Sequence, residues 1–269
     1  MWRHIAVSAV GSSHRRDSRG CEDACRCEVV VLPSNAEVLV AVASDGAGSA
    51  RFGGFGAQSA CTFLMNTIRC HLQQGTDPEA IGRETILAWL EALVADLHNQ
   101  CLGTGTVLSD YACTVLGAVV ADVKGIFFQI GDGAIVVPEA GSPGTYKTVI
   151  AGQKGEYANE TCFVTGNDFR DRMAFAVEMR HLEELAMLTD GLERLALALP
   201  SGVPHNPFFT AMLGPLRGAS QEYRAALESQ LCELLQSDRV NTRTDDDKTL
   251  ILASRSPEQV LSAECLGSA

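Results

Sequence analysis

Between Ala118 and Val137 the chain reads AVVADVKGIFFQIGDGAIVV, three apolar runs separated only by Asp122–Gly125 and Gly131–Gly133. Breaks this short cannot carry a strand back across a sheet in parallel, since a parallel crossover takes a dozen residues or more. The runs are therefore expected as consecutive antiparallel strands joined by tight turns. Comparable runs, rich in Val, Ile and Ala and bounded by Gly, Pro, Asn or Asp, occur at Ile5–Val10, Cys27–Leu32, Glu37–Ser44, Ala112–Ala121, Met173–Val177, Leu185–Thr189 and Thr249–Ala253.

Three stretches carry a helical period. From Gly56 to Leu72 the apolar set Ala57, Ala60, Cys61, Leu64, Met65, Ile68 and Leu72 keeps i, i+3, i+4, i+7 spacing. A second opens at Asp77-Pro78, with proline at the first helical position, and buries Ile86, Trp89, Leu90, Leu93, Val94 and Leu97. The third follows Ser220 and repeats Tyr223, Leu227, Leu231, Leu234 and Leu235. Strands and helices are grouped rather than alternating, which argues for antiparallel sheets covered by helices and against a doubly wound parallel sheet. Gly141–Asp168 is polar and Gly-rich with weak periodicity, an irregular excursion from one compact domain spanning residues 1–269.

With 46% hydrophobic and 20% charged residues, the chain is neither disordered nor collagen-like. Its 21 Lys+Arg against 33 Asp+Glu leave a formal net charge of −12, which repels a phosphate backbone, so nucleic acid is not an expected partner. The ten cysteines include no C-x-x-C pair. No run approaches the roughly 20 apolar residues that span a bilayer. The opening MWRHIAVSAVGSSHRR lacks an apolar core followed by a cleavage site. The expectation is a reduced, soluble, cytoplasmic protein with mostly buried thiols and no membrane partner.

The signatures G-x-S-x-G, Gly-Lys of a phosphate loop and H-E-x-x-H are all missing. The six histidines lie in unlike contexts and read as surface or packing residues, with His14 kept aside. A pattern of aspartates stands out instead. VLVAVAS stops at Asp45-Gly46, ELAMLT at Asp190-Gly191 and FFQIG at Asp132-Gly133, while Asp245-Asp246-Asp247 precedes TLILAS. One Asp-Gly pair is an ordinary turn. Several brought together would repel strongly without a cation between them. Oxygen donors with no Cys or His partner suit hard octahedral ions, Mg²⁺ or Mn²⁺. Two such ions about 3.5–4 Å apart are the usual apparatus of phosphate-ester hydrolysis.

In order, CEDA, SDGAGSARFGGFGAQSA, DYACTVLGAVV, QIGDGAIVV, AMLTDGLERL and DDDKTLILAS resemble the metal-dependent serine/threonine protein phosphatases of the 2C type, the PPM family. GSSHRRDSRGCEDA and ANETCFVT are similar to a bacterial subgroup of it, and the likeness runs from about Gly11 to Ser254. It implies an α+β fold, a four-layer αββα sandwich of two packed antiparallel sheets flanked by helices. It implies that Asp45 bridges two metals, that the Gly46 carbonyl binds one of them, and that Asp190 and Asp246 complete the first metal's carboxylates. Asp246 is chosen within the triplet because it stands three residues before Thr249. Asp132 corresponds to the residue holding a third, weaker ion. Glu22 and Asp23 correspond to the N-terminal acidic pair that orders metal-bound water. The catalytic set is then Asp45, Asp190 and Asp246.

Two positions depart from the family. Ala47 follows the first Asp-Gly, where eukaryotic members carry a histidine shortly afterwards, and Ser18 stands where a phosphate-binding arginine is usual. Arg19, Arg16 or His14 could substitute, with Arg19 the nearest and His14 within the subgroup's G-x-S-H stretch. The implied activity is hydrolysis of phosphoserine or phosphothreonine in a protein, a Ser/Thr kinase or its target, with 141–168 as a flap that influences substrate choice. A catalytically dead phosphate-recognising module and a phosphatase of small phosphate esters remain open as alternatives.

Overall fold

A computed structural model describes residues 1–150, 152, 161–219 and 221–255 of the chain. The order is β1 (Trp2–Ala9), α1 (Ser12–Arg16), β2 (Asp23–Val31), β3 (Glu37–Asp45), then the long helices α2 (Gly53–Gln73) and α3 (Arg83–Thr104). Next come β4 (Val115–Val120), β5 (Gly125–Ile130), β6 (Ala134–Pro138), β7 (Tyr146–Ile150), α4 (Phe169–Arg172), β8 (Ala174–Glu178) and β9 (Glu184–Leu188). After them stand α5 (Glu193–Ala196), the small hairpin β10 (Leu197–Ala198) and β11 (Val203–Pro204), α6 (Asn206–Gly218), α7 (Arg224–Gln236), α8 (Asp238–Asn241) and β12 (Lys248–Arg255).

Two five-stranded sheets form, ordered β1-β12-β9-β6-β7 and β2-β3-β4-β5-β8, and every pairing in them is antiparallel. Their inner faces meet through Leu39, Ala41, Ala43, Leu116, Ala118, Phe127, Ile135, Met187 and Ile251. On the outer face of the second sheet, Val38, Val40, Val42, Val119 and Phe128 pack with the apolar stripes of α2 and α3. The first sheet is covered by α6 and α7 through Phe209, Leu213, Leu216, Leu231 and Leu235. The result is the four-layer αββα sandwich. Successive residues of β3 point to opposite faces, as strand geometry requires, yet both faces are covered. That is why VLVAVA reads as a continuous apolar run rather than as an alternation.

Several expectations need correction. At Asp77-Pro78 only a 3₁₀ turn forms, Pro78–Ala80, with the Asp77 carboxylate accepting from the Glu79 backbone N–H at 2.9 Å. Gly82 separates this turn from α3, which begins at Arg83. Tyr223 precedes α7 and is exposed. α6 was not anticipated, because Pro207, Gly214 and Pro215 interrupt a stripe that nonetheless buries Phe209, Leu213 and Leu216. The excursion Gly141–Asp168 contains the regular edge strand β7, whose Lys147 and Thr148 mask the apolar signal. Positions 151 and 153–160 of that excursion lie outside the described residues. Only four of the nine described cysteines are buried, namely Cys27, Cys61, Cys101 and Cys113.

Register places the strand ends that matter at one edge of the sandwich. Asp23 at the start of β2 lies opposite Asp45 at the end of β3. Leu188 near the end of β9 lies opposite both Ala134 and Leu250, and Ala9 lies opposite Lys248. The turns leaving or entering these strands therefore share a neighbourhood.

Candidate metal centre

Asp45 closes β3 and is held from the side by Thr114. The Asp45 backbone N–H donates to Thr114 Oγ1 at 2.9 Å, and the Thr114 N–H returns a bond to the Asp45 carbonyl at 2.8 Å. Asp132 occupies the β5–β6 turn, where Gly131 and Gly133 have φ of 101° and 91°, the left-handed region that glycine adopts without strain. Thr161 Oγ1 donates to Asp132 Oδ2 at 3.0 Å. Asp190 opens a 3₁₀ turn just beyond β9. Carboxylate oxygens of Asp45, Asp132 and Asp190, one from each, all lie within 4.8 Å of one another.

The glycines beside Asp45 and Asp190 serve a different purpose from Gly133. A Cβ on Gly46 would meet the Gly53 carbonyl carbon at 2.3 Å, and one on Gly191 would meet the Asp247 carbonyl oxygen at 1.8 Å. Both allow close approach of two backbone segments rather than an unusual φ.

The aspartate triplet splits by exposure. Asp246 is exposed and lines a cleft of about 560 Å³ together with Asp132, Asp190, Gly191, Glu193 and Asp245. It is not among the three carboxylates that come closest, although its charge raises the carboxyl pKa values of Asp45 and Asp190. Asp247 turns inward and is 1% exposed, which for a carboxylate demands partners. Its Oδ1 accepts from the Gly11 N–H at 2.5 Å, and its Oδ2 from the Glu22 N–H at 2.5 Å, with His14 Nδ1 at 2.9 Å.

Asp23 is also buried, behind the cluster. Its Oδ2 accepts from Thr189 Oγ1 at 2.7 Å, so a strand end of one sheet is tied to a strand end of the other. Burial, followed by the Asp23 and Asp190 charges, pushes the Asp45 carboxyl far above the usual carboxylate range. Burial and then Asp132 and Asp246 push Asp190 up. Asp23 is raised by burial and by Asp247, against hydrogen bonds that lower it. Carboxyls crowded this way favour protonation until a cation compensates them. All the donors are oxygens, the set a hard divalent ion takes. One further buried atom fits such a site: Glu22 Oε2 has no hydrogen-bond partner among the described residues.

The three candidates for the phosphate site are all engaged. Arg19 Nη2 donates to Glu22 Oε1 at 2.6 Å and reaches the Gly48 carbonyl at 3.5 Å. His14 lies between Asp247 and Glu22, with Nε2 3.9 Å from Glu22 Oε2. Arg16 points to Asp245 at 3.5 Å. Ser18 stands in the left-handed region with φ of 57°, and Ala47 is buried with its N–H on the Ala112 carbonyl. Reading the sequence did not find Thr189, Thr161 or Asp247. Thr189 had a faint signal as the last residue of the run before Asp190. The spacing to Thr249 set Asp246 apart from Asp247, but nothing in the sequence pointed to the burial of Asp247.

The family model Protein phosphatase 2C matches residues 10–236. Serine/threonine-protein phosphatase 3 of Escherichia coli (strain K12) is 35% identical over 254 residues, covering 94% of this chain and 98% of that protein. Among solved structures, PppA, a key regulatory component of T6SS in Pseudomonas aeruginosa, matches with a TM-score of 0.61 at 16% identity, over 94% of this chain and 97% of that one. The catalytic domain of the serine threonine protein phosphatase PstP, solved in complex with 2 manganese ions, matches with a TM-score of 0.60 at 14% identity, over 95% and 99%. At such identities the superpositions speak for the fold, which is the sandwich described above. On the family match and the Escherichia coli relative, the chain belongs to the protein phosphatase 2C family of serine/threonine phosphatases.

Proposed function

We propose that this chain hydrolyses phosphoserine and phosphothreonine in proteins using two Mn²⁺ or Mg²⁺ ions, with a third held more weakly at Asp132. The convergence of Asp45, Asp132 and Asp190 from three separate strand ends carries the reading, because packing alone gives no reason to gather like charges. Asp45, the Gly46 carbonyl, Asp190 and Asp246 would hold the two principal ions. Bound there, divalent ions lower the pKa of a water toward neutrality and offset charge on the phosphoryl oxygens.

The chain's own groups orient the reaction. Asp23, fixed by Thr189, and Glu22 would orient water bound at the carboxylate cluster. Glu22 has an oxygen left for this, since only Oε1 is taken by Arg19. Arg19 and His14 would line the phosphate site, with Arg19 supplying its positive charge. Residues 1–269 would act as one catalytic domain, with 141–168 a flap beside the site. The partner would be a phosphorylated protein, a Ser/Thr kinase or its target, met in the cytoplasm. Among the described residues no helix is long and apolar enough to cross a membrane.

The test is turnover of a phosphoserine peptide during a Mn²⁺ titration, with calorimetry of Mn²⁺ binding alongside. Activity that rises with the metal and disappears with chelator is expected. Turnover indifferent to chelator, or no heat of binding, overturns the reading.

A further inference from the structure

The acidic cleft has two arginines on its wall that the reaction described above does not use. Arg194 and Arg243 line it together with Asp132, Asp190 and Asp246, and both are exposed. Two arginines nearby are paired, Arg19 to Glu22 at 2.6 Å and Arg16 to Asp245 at 3.5 Å. Arg194 and Arg243 form no ion pair among the described residues. They stand in a cleft that also contains Glu193 and Asp245, in a chain with a net charge of −12.

Each arginine is built into the segment of a carboxylate assigned to the metals. Arg194 stands four residues beyond Asp190, in the helix α5 that follows its 3₁₀ turn. Arg243 stands three residues before Asp246 in a loop fixed by two bonds, Arg243 N–H to the Val240 carbonyl at 2.8 Å and Asp246 N–H to Thr244 Oγ1 at 3.3 Å. The preceding helix α8 is tied down in turn, because Lys248 Nζ donates to Asn241 Oδ1 at 2.7 Å. Both arginines are thus carried on anchored backbone at the wall of the cleft that holds Asp132, Asp190 and Asp246.

We infer that Arg194 and Arg243 form a second anion site that selects phosphopeptides with another negative group close to the phosphorylated residue. This rests on the phosphatase reading and adds a substrate class to it. A guanidinium carries its charge across the physiological pH range and pairs with a carboxylate or a phosphate through a two-pronged fork. Without these two cations, an acidic flank would meet only Asp245, Glu193 and their neighbours, and would be repelled. With them, the same flank gains contacts that a neutral one lacks.

The experiment compares kcat/KM for three phosphoserine peptides with the same backbone length, carrying neutral neighbours, neighbouring aspartates, or a second phosphoserine. The wild-type protein and the Arg194→Gln and Arg243→Gln variants are assayed with Mn²⁺. The wild type is expected to favour at least one anionic peptide by about tenfold, the scale of one good charge-assisted pair. The preferred arm identifies the source of the anion, a carboxylate or a phosphate. Either substitution should bring the ratio to within about twofold of unity, and Arg→Lys should restore part of it. Equal wild-type turnover of all three peptides, or a ratio unchanged in both Gln variants, overturns the inference while leaving the phosphatase reading intact. A wild-type protein inactive on all three overturns both.

Discussion

The Thr189 hydroxyl donates to Asp23 Oδ2 at 2.7 Å and accepts from the Thr249 N–H at 3.0 Å. One oxygen thus holds the start of β2 in one sheet to the ends of β9 and β12 in the other, beside the carboxylate cluster. Thr189→Val keeps the shape but leaves a buried carboxylate oxygen and a buried N–H short of a partner. A loss of about 1–3 kcal/mol is expected, the usual cost of such a group left unsatisfied. Thr189→Ser should recover most of it. Urea midpoints of the three proteins check this, and an unchanged midpoint for the valine variant would remove the clamp from the account.

Asp45, Asp190 and Asp23 all have carboxyl pKa values raised above the ordinary 3.8, with burial as the leading cause. A carboxyl whose folded pKa exceeds its unfolded one binds more protons in the native state. The metal-free fold should then lose stability as pH rises from near 3.8 through the raised values. Urea melts in chelator at pH 5 and pH 8 test the sign, with the lower midpoint expected at pH 8. Asp45→Asn should flatten that slope while cutting turnover by more than about 100-fold. A mutant with the wild-type slope, or with near-normal turnover, contradicts the assignment of Asp45.

How much of this could be read beforehand differs from one residue to the next. Asp45, Asp132 and Asp190 were legible because each ends an apolar run and precedes a glycine, so a buried strand and its stop fix the position locally. The helical coverage by α2 was legible because its buried positions keep the i, i+3, i+4 spacing. β7 was not legible, since an edge strand needs apolar residues on fewer of its positions. α6 was hidden by prolines and glycines that only tertiary packing on the first sheet tolerates. The clamp at Thr189 joins residues 166 positions apart, and no local pattern encodes such a pairing.

The last two members of the aspartate triplet should respond in opposite ways. Asp246 is exposed in the cleft, so Asp246→Asn should leave folding nearly unchanged and weaken Mn²⁺ binding. Asp247 holds the Gly11 and Glu22 backbones and the His14 ring, so Asp247→Ala strands several buried groups at once. A loss of about 3–5 kcal/mol is expected, the range for breaking a buried charged network. Calorimetric Mn²⁺ affinity and the denaturation midpoint, measured on both variants, separate the two roles. If Asp246→Asn melts early and Asp247→Ala does not, the assignments must be exchanged.

Gly191 offers a test that changes no charge. Its missing side chain lets the Asp190 turn lie against the Asp247 carbonyl, and a Cβ would stand 1.8 Å from that oxygen. Gly191→Ala must therefore push the turn away from the entry of β12, spreading Asp190 from Asp246. Overpacking of this kind costs about 1–3 kcal/mol. Because the displaced segment carries one proposed ligand, Mn²⁺ affinity should fall as well. Gly103→Ala is the matched control. Gly103 lies within α3 with nothing inside 4 Å of the added carbon, so alanine there should be neutral or stabilise by up to about 1 kcal/mol. A Gly191→Ala protein that melts and binds Mn²⁺ like the wild type would mean that the two ligand-bearing segments can separate without disturbing the site, and the close approach of their backbones would then have no part in building it.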